Sequence, residues 1–376
     1  MFTSVFVYST LFITLLFLSI IAARNQQYSL SHYGKSKLSW PLFVSLVLFA
    51  IVFGIRDNVG IDYPQYLSLY ENPSELDQYE LCFRFLSKAM AALGLPAWFY
   101  FGTWAFLQLL FVFLAFRDEP KLYPYLIIVL FCGQYFLLWM NVIRQDLATC
   151  ILIFSVGFIP QKKLKQFIIL VLIASGFHIT AIALLLLYPI FRHKMDYTRN
   201  PAIQEIILLC ALFICFMGNV FGDIDSLIAP YLIGTSFEEY AYGAIEHTTK
   251  ESVFGVTFWM SFIIDIVMIA YSNKLKRFYK SDTFLIYYNL YFFGAIFNLM
   301  FAFSYLLLRP FRYFRFFKLI VVPFLLFYLW KNRKFSKFRE TFCLALILLA
   351  YLALYIAVFR YGSSSMYQYH SLVLGI

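Results

Sequence analysis

"LYPYLIIVLFCGQYFLLWMNVIRQDLATCILIFSVGFI", residues 122–159, runs 38 residues with two charged side chains, Arg144 and Asp146. Apolar stretches of spanning length flank the pair, since about 20 apolar residues in a helix cross the hydrocarbon core of a bilayer. A charge at the bilayer centre costs about 3 kcal/mol even on insertion scales. An apolar run that keeps one marks a bend or a working site, and here the pattern implies both. One span ends near residue 140 and the next begins near 142, with Asn141 and Arg144 at the turn.

Composition extends this to the whole chain. With 62% hydrophobic, 22% aromatic and 13% charged residues and a mean hydropathy of +0.76, its 376 residues describe an all-α polytopic membrane protein rather than a water-soluble one. Apolar segments of spanning length fall at 2–23, 38–55, 96–116, 122–140, 142–159, 202–221, 253–273, 283–308, 311–330 and 341–359. They predict about ten transmembrane helices in a single integral domain over 1–376, with outer loops at 56–95 and 222–252. The net charge of +10 sits mostly in short loops between apolar spans, where it reports orientation, so nucleic acid is excluded as a partner. The six cysteines have no CxxC spacing and indicate neither a disulfide framework nor a zinc site. The N-terminal apolar run lacks a basic leader and reads as a retained first span.

Segment 166–191 decides the topology. The loops holding Arg24, Lys35 and Lys37, then Arg117 to Lys121, then Lys162, Lys163 and Lys165 lie on one side, which the positive-inside rule makes cytoplasmic. If 166–191 crossed once, the basic loops 192–199, 274–282 and 331–340 would all face outward. If it enters and returns as two half-helices meeting at "ASGFHIT", those loops come back inside. The acidic loop 222–252, with Asp223, Asp225, Glu238, Glu239, Glu246 and Glu251 against Lys250, then faces out. Each half-helix reaches only about 20 Å, which leaves His178 at a tip within the membrane zone.

The outer face collects the unusual residues. The spans beginning near Asn141 and near Pro310 both run inward, so each offers the positive end of its dipole to the outside. On the first, Asn141, Arg144 and Gln145 share a face, and Asp146 points elsewhere, so Arg144 is not neutralised by its neighbour. On the second, "RPFRYFRFFK" sets Arg309 and Arg312 at i, i+3 spacing with Pro310 in the first turn. Guanidinium forks at helix N-termini match phosphate oxygens. Arginines near helix ends also snorkel to lipid headgroups without further purpose. In "GIDYPQY", Asp62 beside Tyr63 and Tyr66 suits a sugar, whose C–H faces stack on rings and whose hydroxyls need acceptors. Glu80 opens an amphipathic segment, where an acidic residue favours the helix dipole in its own right. Histidine as a residue type suits general-base work near neutral pH, so His178 is the candidate general base, with Asp62 as the substitute.

"VGIDYPQY", Glu80 in "YELCFRFLSK", "NVIRQDLA", the "KKLK" loop before "LIASGFHITAIALL", and "RPFRYFRFF" in this order resemble the EpsG-like family of Wzy-type exopolysaccharide and O-antigen polymerases. The resemblance implies a bacterial inner-membrane glycosyltransferase of GT-C-like architecture, its active site facing the periplasm. Such a protein joins oligosaccharide repeat units carried on undecaprenyl diphosphate, with a chain-length regulator and a flippase as further partners. It would be inverting and independent of metals and cofactors, so arginine would neutralise the leaving diphosphate. On this basis Arg144, His178 and Asp62 are the expected catalytic residues, and Tyr63, Tyr66, Glu80, Asn141, Gln145, Arg309 and Arg312 the expected substrate contacts. A ligase or polytopic acyltransferase is the nearest alternative. A lipid-linked glycan transporter is a further one, for which the ionisable Asp265 and Glu205 within spans would matter.

Overall fold

A computed structural model describes residues 2–33, 39–193, 195–217, 222–234, 254–333, 338–362 and 367–376. Among these every regular element is a helix, as the composition predicts. Outside the described residues lie Lys35, Lys37, Lys194, Lys334 and Lys337 of the basic loops, and Glu238, Glu239, Glu246, Lys250 and Glu251 of the acidic loop. The chain falls into two compact units, Met1–His193 with Leu354–Ile376, and Lys194–Ala353.

The first unit runs α1 (Phe2–Tyr33), α2 (Trp40–Gly54), α3 (Tyr63–Glu71), α4 (Leu81–Ala92), α5 (Ala97–Ala115), α6 (Tyr123–Cys132), α7 (Tyr135–Asn141), α8 (Ile143–Val156) and α9 (Leu164–Ser175). A 3₁₀ turn (Ile179–Leu186) and α10 (Leu187–Phe191) complete it. Helix α5 is the hub, packed between α2 and α8, while α1 lies on α2 and α6. Prolines at the second residue of α2, α3 and α6 stand in the first turn, where the missing N–H has no intrahelical partner in any case. The second unit holds α11 (Pro201–Phe216), α12 (Gly222–Leu232), α13 (Val256–Tyr279), α14 (Asp282–Met300), α15 (Tyr305–Arg315), α16 (Phe317–Asn332) and most of α17 (Phe338–Tyr361). There α14 packs on α11, α15 and α16.

Among the described residues six helical stretches are long and apolar enough to cross a membrane: Phe2–Gln26, Ala97–Ala115, Val256–Tyr279, Asp282–Met300, Leu306–Asn332 and Phe338–Tyr361. A seventh counts if Pro120–Cys132 and Tyr135–Asn141, bent by 63°, form one span. The protein is therefore multi-pass, but ten crossings are not reached by length and composition. Expected spans 38–55, 142–159 and 202–221 fold as helices of 15, 14 and 16 residues. Expected span 122–140 breaks at Gln134, which takes a left-handed backbone at φ 64° and starts a new helix. Helix α11 is apolar outward as well, with Ile203, Ile206, Leu209 and Phe213 each more than half exposed at helical spacing. That is a lipid-facing stripe rather than a soluble surface.

Segment 166–191 folds as two short helical pieces. Helix α9 and the 3₁₀ turn pack against each other and on α8, and Gly176, Phe177 and His178 connect them. The chain bends at His178, which is extended at φ −151° and ψ 113° between helical neighbours.

Candidate functional site

The site is assembled on α8, which begins at Ile143 after the chain kinks through Val142 at φ −86° and ψ 62°. The kink ends α7 and re-aims the next turn, so Asn141 and Arg144 belong to different helices. This corrects the expectation that Asn141, Arg144 and Gln145 line one helical face. The kink is held from the loop before α3. Arg56, 4% exposed, donates from Nη2 to the Met140 carbonyl (3.2 Å), from Nη1 to Phe53 (2.6 Å) and from Nε to Val59 (3.0 Å). Three buried carbonyls are thus satisfied by one planar fork. Its guanidinium also lies over the Phe101 ring at 4.9 Å. The Asn141 amide accepts from the Ile61 N–H (2.5 Å) and donates to Leu137 (3.0 Å). Gly60, at φ +110°, makes this possible, because a Cβ there would lie 3.2 Å from both Asn141 Oδ1 and the Met140 carbonyl. The C-terminal segment closes the loop from the far side, with the His370 carbonyl accepting from Asp57 N (2.9 Å) and Ser371 Oγ donating to Ile55 (2.7 Å).

Arg144 is the second residue of α8. Its Nη1 donates to Glu80 Oε2 at 2.6 Å, and the pair is mostly sheltered, with side chains 23% and 16% exposed. The guanidinium also rests over the Tyr79 ring at 4.6 Å and the Phe83 ring at 5.6 Å. Arg144 is therefore neutralised, by an acid 64 residues away in sequence rather than by Asp146. Asp146 itself is fully buried.

Glu80 has a second bond. Its Oε1 accepts from the Ile179 N–H at 3.2 Å, the amide immediately after His178. The hairpin tip is pinned to the same place by backbone bonds: the Gly176 carbonyl accepts from Cys82 N (2.7 Å) and Phe83 N (3.1 Å), two N-terminal donors of α4 that have no intrahelical partner. Gly176 is needed for this approach, since a Cβ would sit 2.3 Å from Cys82 Sγ and 3.0 Å from Cys82 Cβ. His178 is 9% exposed, and its Nδ1 is 2.7 Å from Thr180 Oγ1. With Nδ1 donating to that hydroxyl, Nε2 carries the basic lone pair. Arg144 and the backbone next to His178 are thus gathered by one carboxylate, although they come from separate segments.

The model of the EpsG family matches residues 39–371, which takes in every residue of this arrangement. The chain belongs to the EpsG family. No curated protein and no solved structure matched it. Membership points to a polysaccharide-polymerase-like, glycosyltransferase-like membrane protein, in keeping with the multi-pass helical fold.

Other expected members of this EpsG site are placed as follows. Tyr66 is buried against Arg144 and meets Phe83 edge-on at 6.1 Å. Burial pushes its phenol up to about 12 against the pull of the Arg144 charge, which keeps the hydroxyl neutral. Tyr63 is 5% exposed, and its ring stacks on Phe101 at 4.4 Å. It packs the loop rather than offering an open face to a sugar. Asp62, half-buried, precedes α3 without capping it and contributes to the field at Tyr66. Gln145 is buried next to Arg144. Asn141 has both ends of its amide engaged inside the protein and holds the loop.

Arg309 and Arg312 belong to the second unit, and neither unit by itself holds both arginine sets. Helix α15 starts at Tyr305, so Pro310 is in its interior and Arg312 in its last turn. This corrects the expectation of arginines at a helix N-terminus. The start is fixed earlier by capping: Ser304 Oγ accepts from Leu307 N at 3.0 Å. Asp225 then accepts from Ser304 Oγ (2.6 Å) and Leu306 N (3.3 Å). Nearby, Lys318 pairs with Asp265 at 2.8 Å, and Asp265 also accepts from the Tyr291 hydroxyl at 2.6 Å.

Sequence reasoning missed Arg56 and Thr180, and named Asp225 only as one acid of the loop 222–252, without its bonds to Ser304 and Leu306. Arg56 ends an apolar run and has the local pattern of a snorkelling arginine, so nothing in the string distinguishes it. Among the described residues no group of three or more His, Cys, Asp or Glu side chains is placed to hold a metal ion.

Proposed function

We propose that this protein polymerises oligosaccharide repeat units carried on undecaprenyl diphosphate, at the outer leaflet of the bacterial inner membrane. The observation that carries the proposal is the gathering of Arg144 and the His178 segment by the two oxygens of Glu80. A cation for a leaving diphosphate and a base for an attacking hydroxyl are what glycosyl transfer from such a donor needs.

His178 Nε2 takes the proton from the acceptor sugar hydroxyl, or Asp62 does so if His178 is dispensable. The hydroxyl oxygen forms its bond to the donor's anomeric carbon as the bond from that carbon to the diphosphate oxygen breaks. The electron pair leaves on the diphosphate, whose charge Arg144 stabilises, and attack opposite the leaving group inverts the carbon. Tyr66, neutral, supplies a hydroxyl beside Arg144, and Gln145 lines the approach to it. Arg309 and Arg312 belong to the basic face of α15 and recognise anionic headgroups in the second unit. No metal or cofactor enters this scheme. In the membrane the short helices complete about ten crossings in a GT-C-like arrangement, with the 166–191 hairpin re-entering from the cytoplasm and its tip toward the periplasm. A flippase supplies the substrate, and a chain-length regulator limits the product.

The test is replacement of the chromosomal copy by Arg144→Lys and by His178→Ala, followed by gel analysis of surface glycan. Both should collapse the polymer to single repeats, Arg144→Lys because an ammonium keeps the charge but loses the planar fork. A single repeat still attached to the surface glycan's acceptor separates a polymerase from a ligase, whose loss would abolish that attachment. Full-length polymer from His178→Ala would remove it from the chemistry.

A further inference from the structure

Glu80 is matched to Arg144 in a way that leaves something over. Its two carboxylate oxygens are each committed, Oε2 to Arg144 Nη1 (2.6 Å) and Oε1 to the Ile179 N–H (3.2 Å). Arg144 Nε is buried and has no hydrogen-bond partner among the described residues. A buried guanidinium donor without an acceptor is costly, and the Glu80 carboxylate, held at Nη1 and at the Ile179 N–H, leaves Nε unserved. A diphosphate carries more acceptor oxygens than a carboxylate and the same sign of charge. The two donors come from chain segments 35 residues apart, and Ile179 is 55% exposed, so a ligand reaches the sheltered carboxylate from the Ile179 side. The face of Tyr79 and the neutral Tyr66 hydroxyl hold the guanidinium where it is, whichever anion it binds.

We propose that Arg144 and the Ile179 N–H form one oxyanion site whose resting occupant is the Glu80 carboxylate, and that the diphosphate of a prenyl-linked substrate displaces Glu80 from it. This rests on the function proposed above and adds two things to it. The Ile179 amide becomes a ligand donor, and Glu80 becomes an internal competitor rather than a substrate contact. Displacement also frees the carboxylate that gathers Arg144 with the hairpin tip, so binding of the donor is coupled to the position of His178. No covalent change is involved. One anion exchanges for another.

The experiment uses the full chain in detergent and calorimetric titration with inorganic pyrophosphate and with a short-chain prenyl diphosphate. If Glu80 occupies the site about nine-tenths of the time, removing its charge raises apparent affinity about tenfold. Glu80→Gln should therefore bind both probes about tenfold more tightly than wild type, and Arg144→Gln should lose binding of both. Glu80→Asp keeps the charge but is one methylene too short to reach both donors, and should show a smaller gain in the same direction. Loss of binding in Arg144→Gln with no gain in either Glu80 variant overturns the competitor role alone and leaves the proposed function standing. Unchanged binding in Arg144→Gln overturns both. A gain confined to inorganic pyrophosphate overturns the prenyl-linked substrate as occupant. If both Glu80 variants fail to fold, the carboxylate belongs to the fold and the proposal is wrong.

Discussion

Replacing Arg144 by glutamine removes the cation from a sheltered pair and separates two roles that the structure superimposes. The substitution leaves Glu80 with its Ile179 N–H bond but no counter-charge, in surroundings where its side chain is 16% exposed. Breaking a fully buried pair costs about 3–5 kcal/mol, because the remaining charge is stranded in low dielectric. Partial exposure of both members here lets water screen the stranded carboxylate, so about 2 kcal/mol is expected, roughly a thirtyfold fall in the folded-to-unfolded ratio. In the double variant Glu80→Gln with Arg144→Gln, two neutral amides can hydrogen-bond to each other and nothing charged is buried. Its stability should return to within about 1 kcal/mol of wild type. Thermal unfolding of the full chain in detergent reads the first quantity, and the glycan ladder from complemented cells reads activity. Stability should recover in the double variant and polymer length should not. Recovery of long polymer would mean that Arg144 serves only the fold, and would refute the assignment of charge neutralisation to it.

Three other outcomes are expected. Asn141→Ala removes the acceptor of the part-buried Ile61 N–H, now bonded at 2.5 Å, and should cost about 1 kcal/mol in thermal melts while loosening the loop that carries Arg56; proteolysis of residues 56–62 in the folded protein measures that loosening. Gly176→Ala places a Cβ 2.3 Å from Cys82 Sγ and should cost about 1–3 kcal/mol by overpacking, with Cys82→Ala recovering part of the loss; equal melts for Gly176→Ala and wild type would show that the tip is not docked there. Tyr66→Phe should lower activity without moving either limb of the pH–rate profile between pH 6 and 9. Burial holds the phenol near 12, so its neutral form persists throughout that window and no proton is gained or lost there; a displaced alkaline limb would contradict this.

Much of the site was legible as residue types and little of it as partnerships. Arg144, Glu80 and His178 stand out in the string because each is a polar group next to an apolar run, and burying such a group without a partner is expensive. The string could not say that Glu80 is the partner of Arg144, because 64 residues and the four helices α4 to α7 separate them. Tyr63 and Asn141 carry the same local signals as ligand-binding residues, yet their rings and amides are used up internally. The basic segment 309–318 misled for a definite reason. Proline commonly opens helices, but Ser304 and Asp225 together satisfy the first N–H groups earlier, and capping outweighs that preference.

The amino-acid order by itself determined that the chain is helical and lipid-facing, since 62% hydrophobic content can be buried only in a bilayer or against other apolar helices. It also pointed to an interruption of 166–191 near Gly176 to His178, because the basic loops that follow belong on the cytoplasmic face. Tertiary structure alone decided where the charges go. Arg144 is met by Glu80, and the N-terminus of α15 is met by Asp225, so both electropositive places are occupied from within the chain. The physical reason is that hydrophobic periodicity is a local property of a helix, whereas charge compensation in low dielectric depends on distances of a few ångströms between segments that only folding brings together.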